Sequence, residues 1–397
     1  MQFFTKALVA AALTFASVEA AAPQDGSMVV PLKRRNLFLS IGDELNLKAV
    51  VAHLNNVQRK YQSSMDNYKR RTGEINPFVK ALLDLIKRDG STSSIGLDVV
   101  GDGQLWTGPV TFGGQEFHLD FDTGSADVIV NREAYNPEKS SSSKNTKTTF
   151  STAYADGTTA RGFVYTDDFK VGNLEAKNVA IGRSHTTFIR DEGKSEGIAG
   201  LSFSSISTFQ DESYKPFFDS LIEQGAVAEQ KFQFTLNKGD GSELFFGGID
   251  NSKVNGNIAW SNVDSSKGFW AAAMKINGMD ITGIVDSGST IITGPTFQVR
   301  SLFNRIGGIQ SFTQGSSLFG AFDCGNPPQV TFEFGGQQFE LDKEVTSFGR
   351  ANGKCVLSIS GMDNIPMNAW IVGDTFFLGR TVIFDAEQKR VGVANRA

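Results

Sequence analysis

The spacing of apolar residues changes character twice along this chain. Ala7 to Ala16 is an almost unbroken apolar run, too short to span a bilayer. Lys6 precedes it and Val18-Glu19-Ala20 supplies small-residue cleavage geometry after it, so residues 1–20 read as an export signal. Residues 21–88 carry helical rather than strand signals: Leu45, Leu47, Val50, Val51, Leu54 and Val57 recur three and four apart over Glu44–Lys60. Pro77 then opens a second helical stretch with Val79, Leu82, Leu83 and Ile86. From about Leu97 the period shortens to two. Phe117, Leu119 and Phe121 alternate along one face up to Asp122, and Asp156-Gly157 is a hairpin-turn dipeptide between strand-like runs. Ser213–Gln230 is the longest stretch without strand character, and Phe217, Phe218, Leu221 and Ile222 make it a surface helix. The pattern predicts an all-β body behind a small helical leader.

The body repeats itself. Leu119-Asp-Phe-Asp-Thr-Gly-Ser125 is echoed by Gly283-Ile-Val-Asp-Ser-Gly-Ser289, and each is followed by a hydrophobic pair ending in glycine, Ile198-Ala199-Gly200 and Ile371-Val372-Gly373. Two elements recurring in the same order predict two homologous lobes, 89–265 and 266–397. An isolated Asp-Thr-Gly-Ser is an ordinary polar turn. Two copies, each entered from an apolar strand, suit a different purpose: placing Asp122 and Asp286 face to face about a pseudo-twofold axis. At about 3 Å and an effective dielectric near 20, two carboxylates repel by roughly 5–6 kcal/mol, so the pair shares one proton over a wide acidic range. One carboxylate then takes a proton from a water attacking a peptide carbonyl while the protonated partner polarises that carbonyl. Gly124 and Gly288 let the backbone approach the carboxylates and donate to them, Thr123 and Ser287 tie the loops together, and Ser125 and Ser289 orient the outer oxygens.

Composition sharpens the picture. Residues 21–88 hold 12 Lys and Arg against 6 Asp and Glu, whereas residues 89–397 hold 25 against 36. A basic leader on an acidic body forms an electrostatic clasp that weakens as carboxylates protonate. Export makes nucleic acid or an anionic membrane a poor partner for that basic segment. Lys87-Arg88 is the favoured end of the leader, because strand-like sequence begins soon after it; Arg70-Arg71 and Lys33-Arg34-Arg35 are rival dibasic sites. The two cysteines, Cys324 and Cys355, are an even count that in an exported chain suggests one disulfide, two buried thiols being the other reading. The 33 Phe residues are spread through short segments and suit strand cores. Serine and cysteine hydrolases need a histidine base, and residues 89–397 offer only His118 and His185, neither near a suitable nucleophile motif. There is no HExxH and no phosphate-binding loop, and Gly101-Asp-Gly103 is too short for a dinucleotide fingerprint, so no metal or organic cofactor is expected.

The two Asp motifs, with Gly197-Ile-Ala-Gly-Leu201, Phe269-Trp270, Thr293-Gly-Pro295, Ile371-Val-Gly-Asp374 and Val382-Ile-Phe-Asp385, resemble the pepsin family, above all its fungal secreted members, over nearly all of residues 95–397. The resemblance implies a bilobal pepsin-like acid protease fold, two six-stranded-barrel-like lobes with the cleft between them. It implies a secreted, monomeric aspartic endopeptidase that is made as an acid-activated zymogen. Its partners would be polypeptide substrates of about seven or eight residues in the cleft, pepstatin-type inhibitors and its own propeptide. It also implies a flap tyrosine at Tyr154 with Asp156 two residues on, a Cys324–Cys355 disulfide, and a leader plug at Lys60-Tyr61. Two departures stand out. Ile129 occupies the place of the family's Trp seven residues after the first aspartate, and Ala155 that of the glycine after the flap tyrosine.

Overall fold

The computed structural model describes residues 26–34, 40–41, 44–80, 106–153, 159–188, 195–237, 241–363 and 368–397. The expected export signal, Lys87-Arg88 and the residues expected in the flap, Tyr154, Ala155 and Asp156, lie outside the described residues.

Short β-strands dominate, as the period-two texture requires. In the first lobe Trp106–Phe112, Gln115–Asp122, Gly197–Gly200, Val128–Val130, Leu174–Ser184 and Thr159–Val171 are hydrogen-bonded in that order. Thr111 and Phe112 then pair back onto Lys170 and Phe169, closing a six-stranded barrel. In the second lobe Ala271–Ile276, Met279–Val285, Trp370–Val372, Ile292–Gly294 and Lys354–Met362 follow one another with the same alternation of antiparallel and parallel neighbours. The sequence repeat is thus a structural repeat. A shared sheet joins the lobes, in the order Val254–Asn262, Arg390–Arg396, Arg380–Asp385, Lys231–Thr235, Ser242–Phe246 and Met28–Arg34. The chain's last two strands therefore return to pair with Lys231–Thr235 and Val254–Asn262, more than a hundred residues earlier.

Phenylalanine fills these layers. Phe117, Leu119 and Phe121 point into one continuous core that also takes Phe217, Phe232, Phe246 and Phe384. Their rings meet closely, with Phe232 and Phe384 stacked 4.7 Å apart, and burial of each such side chain stabilises by about 1.5–3 kcal/mol. The disulfide expected from the resemblance is present, Cys324–Cys355 with Cα atoms 5.1 Å apart.

The structure corrects the leader in two ways. Met28–Arg34 is a strand, not helix: residues 28–32 pair with 242–246 and residues 33–34 with 106–107, burying Val30 and Leu32. Its stability comes from filling a gap between distant strands, which no local pattern reports. The helix expected over Glu44–Lys60 runs instead over Leu47–Thr72 (α1). It starts late because Glu44–Leu45 pairs with Ser40–Ile41, and Asn46 caps it by accepting from Ala49 N–H at 3.2 Å. It ends at Gly73, whose left-handed backbone donates back to the Lys69 carbonyl. Its apolar stripe continues past Lys60 through Tyr61, Met65 and Tyr68, all buried. The surface helix expected in Ser213–Gln230 is confined to Phe217–Glu223, between Pro216 and Gly225 with its positive φ of 68°.

Candidate active site

The two aspartate loops meet at the junction of the lobes because each leaves an apolar strand beside its hydrophobic pair. Gly200 is in register with Asp122, and Asp286 donates its N–H to the Val372 carbonyl at 3.0 Å. The loops are bolted together reciprocally. Thr123 N–H donates to Ser287 Oγ (3.1 Å) and Ser287 N–H to Thr123 Oγ1 (2.9 Å), while each hydroxyl donates to a carbonyl of the opposite strand, Val285 and Phe121. All four groups are buried, so the contacts fix one arrangement of the loops.

That arrangement sets the two carboxylates side by side. Gly124 N–H donates to Asp122 Oδ1 (2.8 Å) and Gly288 N–H to Asp286 Oδ1 (3.0 Å). Side chains at these glycines would collide: a Cβ on Gly124 would lie 2.5 Å from Asp286 Oδ1, and one on Gly288 would strike the Asp122 carboxylate. Ser289 Oγ donates to Asp286 Oδ2 at 2.6 Å. Its counterpart Ser125 lies close enough to favour ionised Asp122 but makes no hydrogen bond through its hydroxyl. The site is therefore symmetric in backbone and asymmetric in hydroxyl support.

Both carboxylates are covered by the leader. Lys60, midway along α1, donates from Nζ to Asp122 Oδ1 (3.1 Å) and to Asp286 Oδ1 and Oδ2 (3.0 and 2.8 Å), and Tyr61 Oη donates to Asp286 Oδ2 (2.9 Å). One ammonium touching both acids limits their separation to about 6 Å. Burial alone pushes the Lys60 ammonium down, but the charges of Asp122 and Asp286 outweigh it and hold Lys60 above its usual range. Burial pushes Asp122 up, with Asp286 adding to the rise against the pull of Lys60. Asp286 also feels burial, yet the Lys60 charge and bonds together with Ser289 bring it below the usual carboxylate range. Asp286 receives the larger share of donors and is the firmly ionised partner. Tyr61 is buried and pushed well up, so its hydroxyl remains a donor.

The apolar stripe of α1 lies across both lobes. Val50, Leu54, Val57, Tyr61 and Met65 share a cluster with Ala126 and Ile206 of the first lobe and Phe269, Ile284 and Ile371 of the second. The Tyr61 and Phe269 rings are 5.1 Å apart. Ser63 reaches Thr152 (3.1 Å), on the strand Lys144–Ala153, and Thr290 N–H donates to His53 Nε2 at 3.4 Å. Ile129 is buried in a cluster with Val164 and the aromatic residues Phe150, Phe188 and Phe209.

Sequence reading missed two groups here. Asp127, five residues after Asp122, is buried and accepts from Ser207 Oγ and Thr208 N–H, both at 2.5 Å. Arg70 and Arg71, noted only as a dibasic pair, bond the carbonyls of the loop that Asp127 braces. The one local signal was the basic last turn of the helix.

Comparison with known proteins agrees with this geometry. The sequence profile described as "Eukaryotic aspartyl protease" matches residues 106–396. The chain is 47% identical over 388 residues to "Secreted aspartyl protease 1" of Malassezia globosa, covering 98% of this chain and 96% of that one. It is 30% identical over 311 residues to "Penicillopepsin-1" of Penicillium janthinellum (73% and 94%), and 31% identical over 315 residues to "Cathepsin D" of Gallus gallus (70% and 77%). A likeness that runs through both lobes and both aspartate loops places the chain in the eukaryotic aspartyl protease family.

Proposed function

We propose that this chain is a secreted aspartic endopeptidase in its zymogen form, with Asp122 and Asp286 as the catalytic pair and residues 21–88 as an inhibitory leader. Residues 1–20 are the export signal, Lys87-Arg88 ends the leader, and the lobes comprise 89–265 and 266–397. The observation that carries the reading is the single Lys60 ammonium held by both carboxylates at 2.8–3.1 Å, at the centre of the pseudo-symmetric junction. Two acids close enough to share one ammonium are close enough to share one water and one proton.

With the leader gone, a water takes the place of Nζ. The ionised carboxylate accepts its proton as the oxygen attacks the peptide carbonyl, the protonated carboxylate donates to the carbonyl oxygen, and the tetrahedral intermediate collapses by returning a proton to the leaving nitrogen. The backbone donors of Gly124 and Gly288 hold the carboxylates in the attacking geometry. The substrate is an extended polypeptide, since the groove filled by α1 is lined by apolar side chains from both lobes. The flap residues Tyr154 and Asp156 close over it and exclude water. Among the described residues no helix is long and apolar enough to cross a membrane.

The test is a peptide-library digest by the acid-treated protein with and without a pepstatin-type inhibitor. Internal cleavages that vanish with the inhibitor support the reading; cleavage confined to chain ends, or insensitive to the inhibitor, opposes it.

A further inference from the structure

The last turn of α1 sits on a loop of the first lobe that binds guanidinium groups. Arg70 spans it, donating from Nη2 to the Ser207 carbonyl (2.9 Å) and from Nη1 to the Phe209 carbonyl (3.4 Å), and Arg71 Nη1 donates to the Phe209 carbonyl at 2.8 Å. The loop is braced from beneath by Asp127 through Ser207 Oγ and Thr208 N–H. Burial and the neighbouring Arg71 push the Arg70 guanidinium down, and the charges of Asp127 and Glu212 oppose that push; Asp211 lies close enough to Arg71 to feel its charge. Two carbonyls set side by side match the fork of an arginine better than the point charge of a lysine.

Both arginines belong to the leader. When the leader leaves, the carbonyls of Ser207 and Phe209 lose these donors and are uncovered toward the cleft, while the loop stays held in the same shape by Asp127. We propose that the Ser207–Phe209 loop, with Asp127, Asp211 and Glu212 behind it, is a subsite of the mature enzyme for an arginine of the polypeptide substrate. The proposal rests on the endopeptidase reading and on removal of the leader. Position follows from the helix itself. Lys60 marks the reacting centre, and the ten residues to Arg70 rise about 15 Å along α1. An extended peptide advances about 3.3 Å per residue, so the arginine lies four or five residues from the scissile bond. It lies toward the end of the cleft bordered by Ile206 and Gly268, where a Cβ on Gly268 would contact both Ile206 and Tyr68. The same contacts remove Arg70-Arg71 from use as a processing site in the precursor: the pair is helical and its guanidinium groups are engaged.

The test uses the mature enzyme and fluorogenic peptides in which one arginine is stepped outward from the scissile bond on either side against an arginine-free parent. The expected result is a fall in KM of about tenfold, with little change in kcat, at four or five residues on one side only. Lysine at that position gives a smaller gain. In an Asp211→Asn/Glu212→Gln double variant the arginine-to-parent ratio of kcat/KM drops several-fold; because the ratio is taken within one protein, any general effect of the changes cancels. Cleavage of every peptide with no positional arginine gain, or a ratio unchanged in the double variant, overturns the subsite and leaves the endopeptidase reading intact. Failure to cleave any member of the series counts against that reading instead.

Discussion

Replacing Lys60 with methionine in the precursor probes the latch at its most concentrated point. Methionine keeps an unbranched stem of similar length beside the Tyr61 ring, which lies 5.3 Å from Lys60 Nζ, so the change removes charge with little loss of packing. What disappears is an ammonium making three contacts of 2.8–3.1 Å with two buried carboxylates. Taking one partner from a buried ion pair costs about 3–5 kcal/mol. The acids recover part of this by sharing a proton and admitting water, which leaves about 2–4 kcal/mol and a shift of roughly 30- to 1,000-fold toward the open precursor. The assay is cleavage of a fluorogenic peptide by precursor whose Lys87-Arg88 pair has been replaced by alanines, each rate normalised to mature enzyme at the same pH. At pH 5–6 the parent precursor should be latent and the Lys60→Met precursor should leak at least tenfold more. The acid dependence has a defined sign. Lys60 is held above its usual range and stays charged throughout acid, so its partners set the switch. Asp122, held high, neutralises first as pH falls; Asp286, held low, retains the lysine until the pH drops below the ordinary carboxylate range near 4. Full release therefore belongs below about pH 4 for the parent and at higher pH for Lys60→Met. Equal latency of the two precursors across pH would refute the reasoning.

Other outcomes follow from the same geometry. Tyr61→Phe removes one buried hydrogen bond to Asp286, worth about 1 kcal/mol, and should raise precursor leakage by about fivefold in the same assay, well short of Lys60→Met. Gly288→Ala forces a methyl group into the Asp122 carboxylate and should lower kcat by about a hundredfold or more in steady-state kinetics, with secondary structure intact by circular dichroism. Replacing both Cys324 and Cys355 with serine opens a bridge of sequence separation 31 and should destabilise by about 3–4 kcal/mol in denaturant unfolding, leaving the dyad geometry unchanged. Terminal sequencing of the secreted enzyme should place its first residue at or close to Asp89; a start beyond about Leu97 would refute Lys87-Arg88 as the end of the leader.

Much of the body was legible because its signals are local or repeated. Phe117, Leu119 and Phe121 alternate in sequence and share one core in the structure, and the echo of Asp122 at Asp286 reappears as matching strand order in two lobes. The pairing of Thr123 with Ser287 followed from the same echo, since equivalent positions about a twofold axis must meet. What escaped was non-local. Met28–Arg34 becomes a strand only because residues 242–246 and 106–107 leave room between them. The true end of α1 depended on Met65 and Tyr68 finding Ile206, far along the chain. Arg70-Arg71 looked like a cleavage signal because basic pairs carry no mark of what they bind. Asp127 passed as one more polar residue after the motif, for its importance lies in Ser207 and Thr208, some eighty residues away.

The central claim, that Asp122 and Asp286 together perform peptide hydrolysis, meets its most direct test in a single comparison. Acid-treated parent, Asp122→Asn and Asp286→Asn are incubated with one peptide substrate near pH 4, and kcat/KM is measured for each, thermal unfolding confirming that all three are folded. The account predicts a loss of at least about a thousandfold in both variants, because an amide can neither take the proton from the attacking water nor share one with its neighbour. A variant that keeps its fold and cleaves within about tenfold of the parent would contradict it.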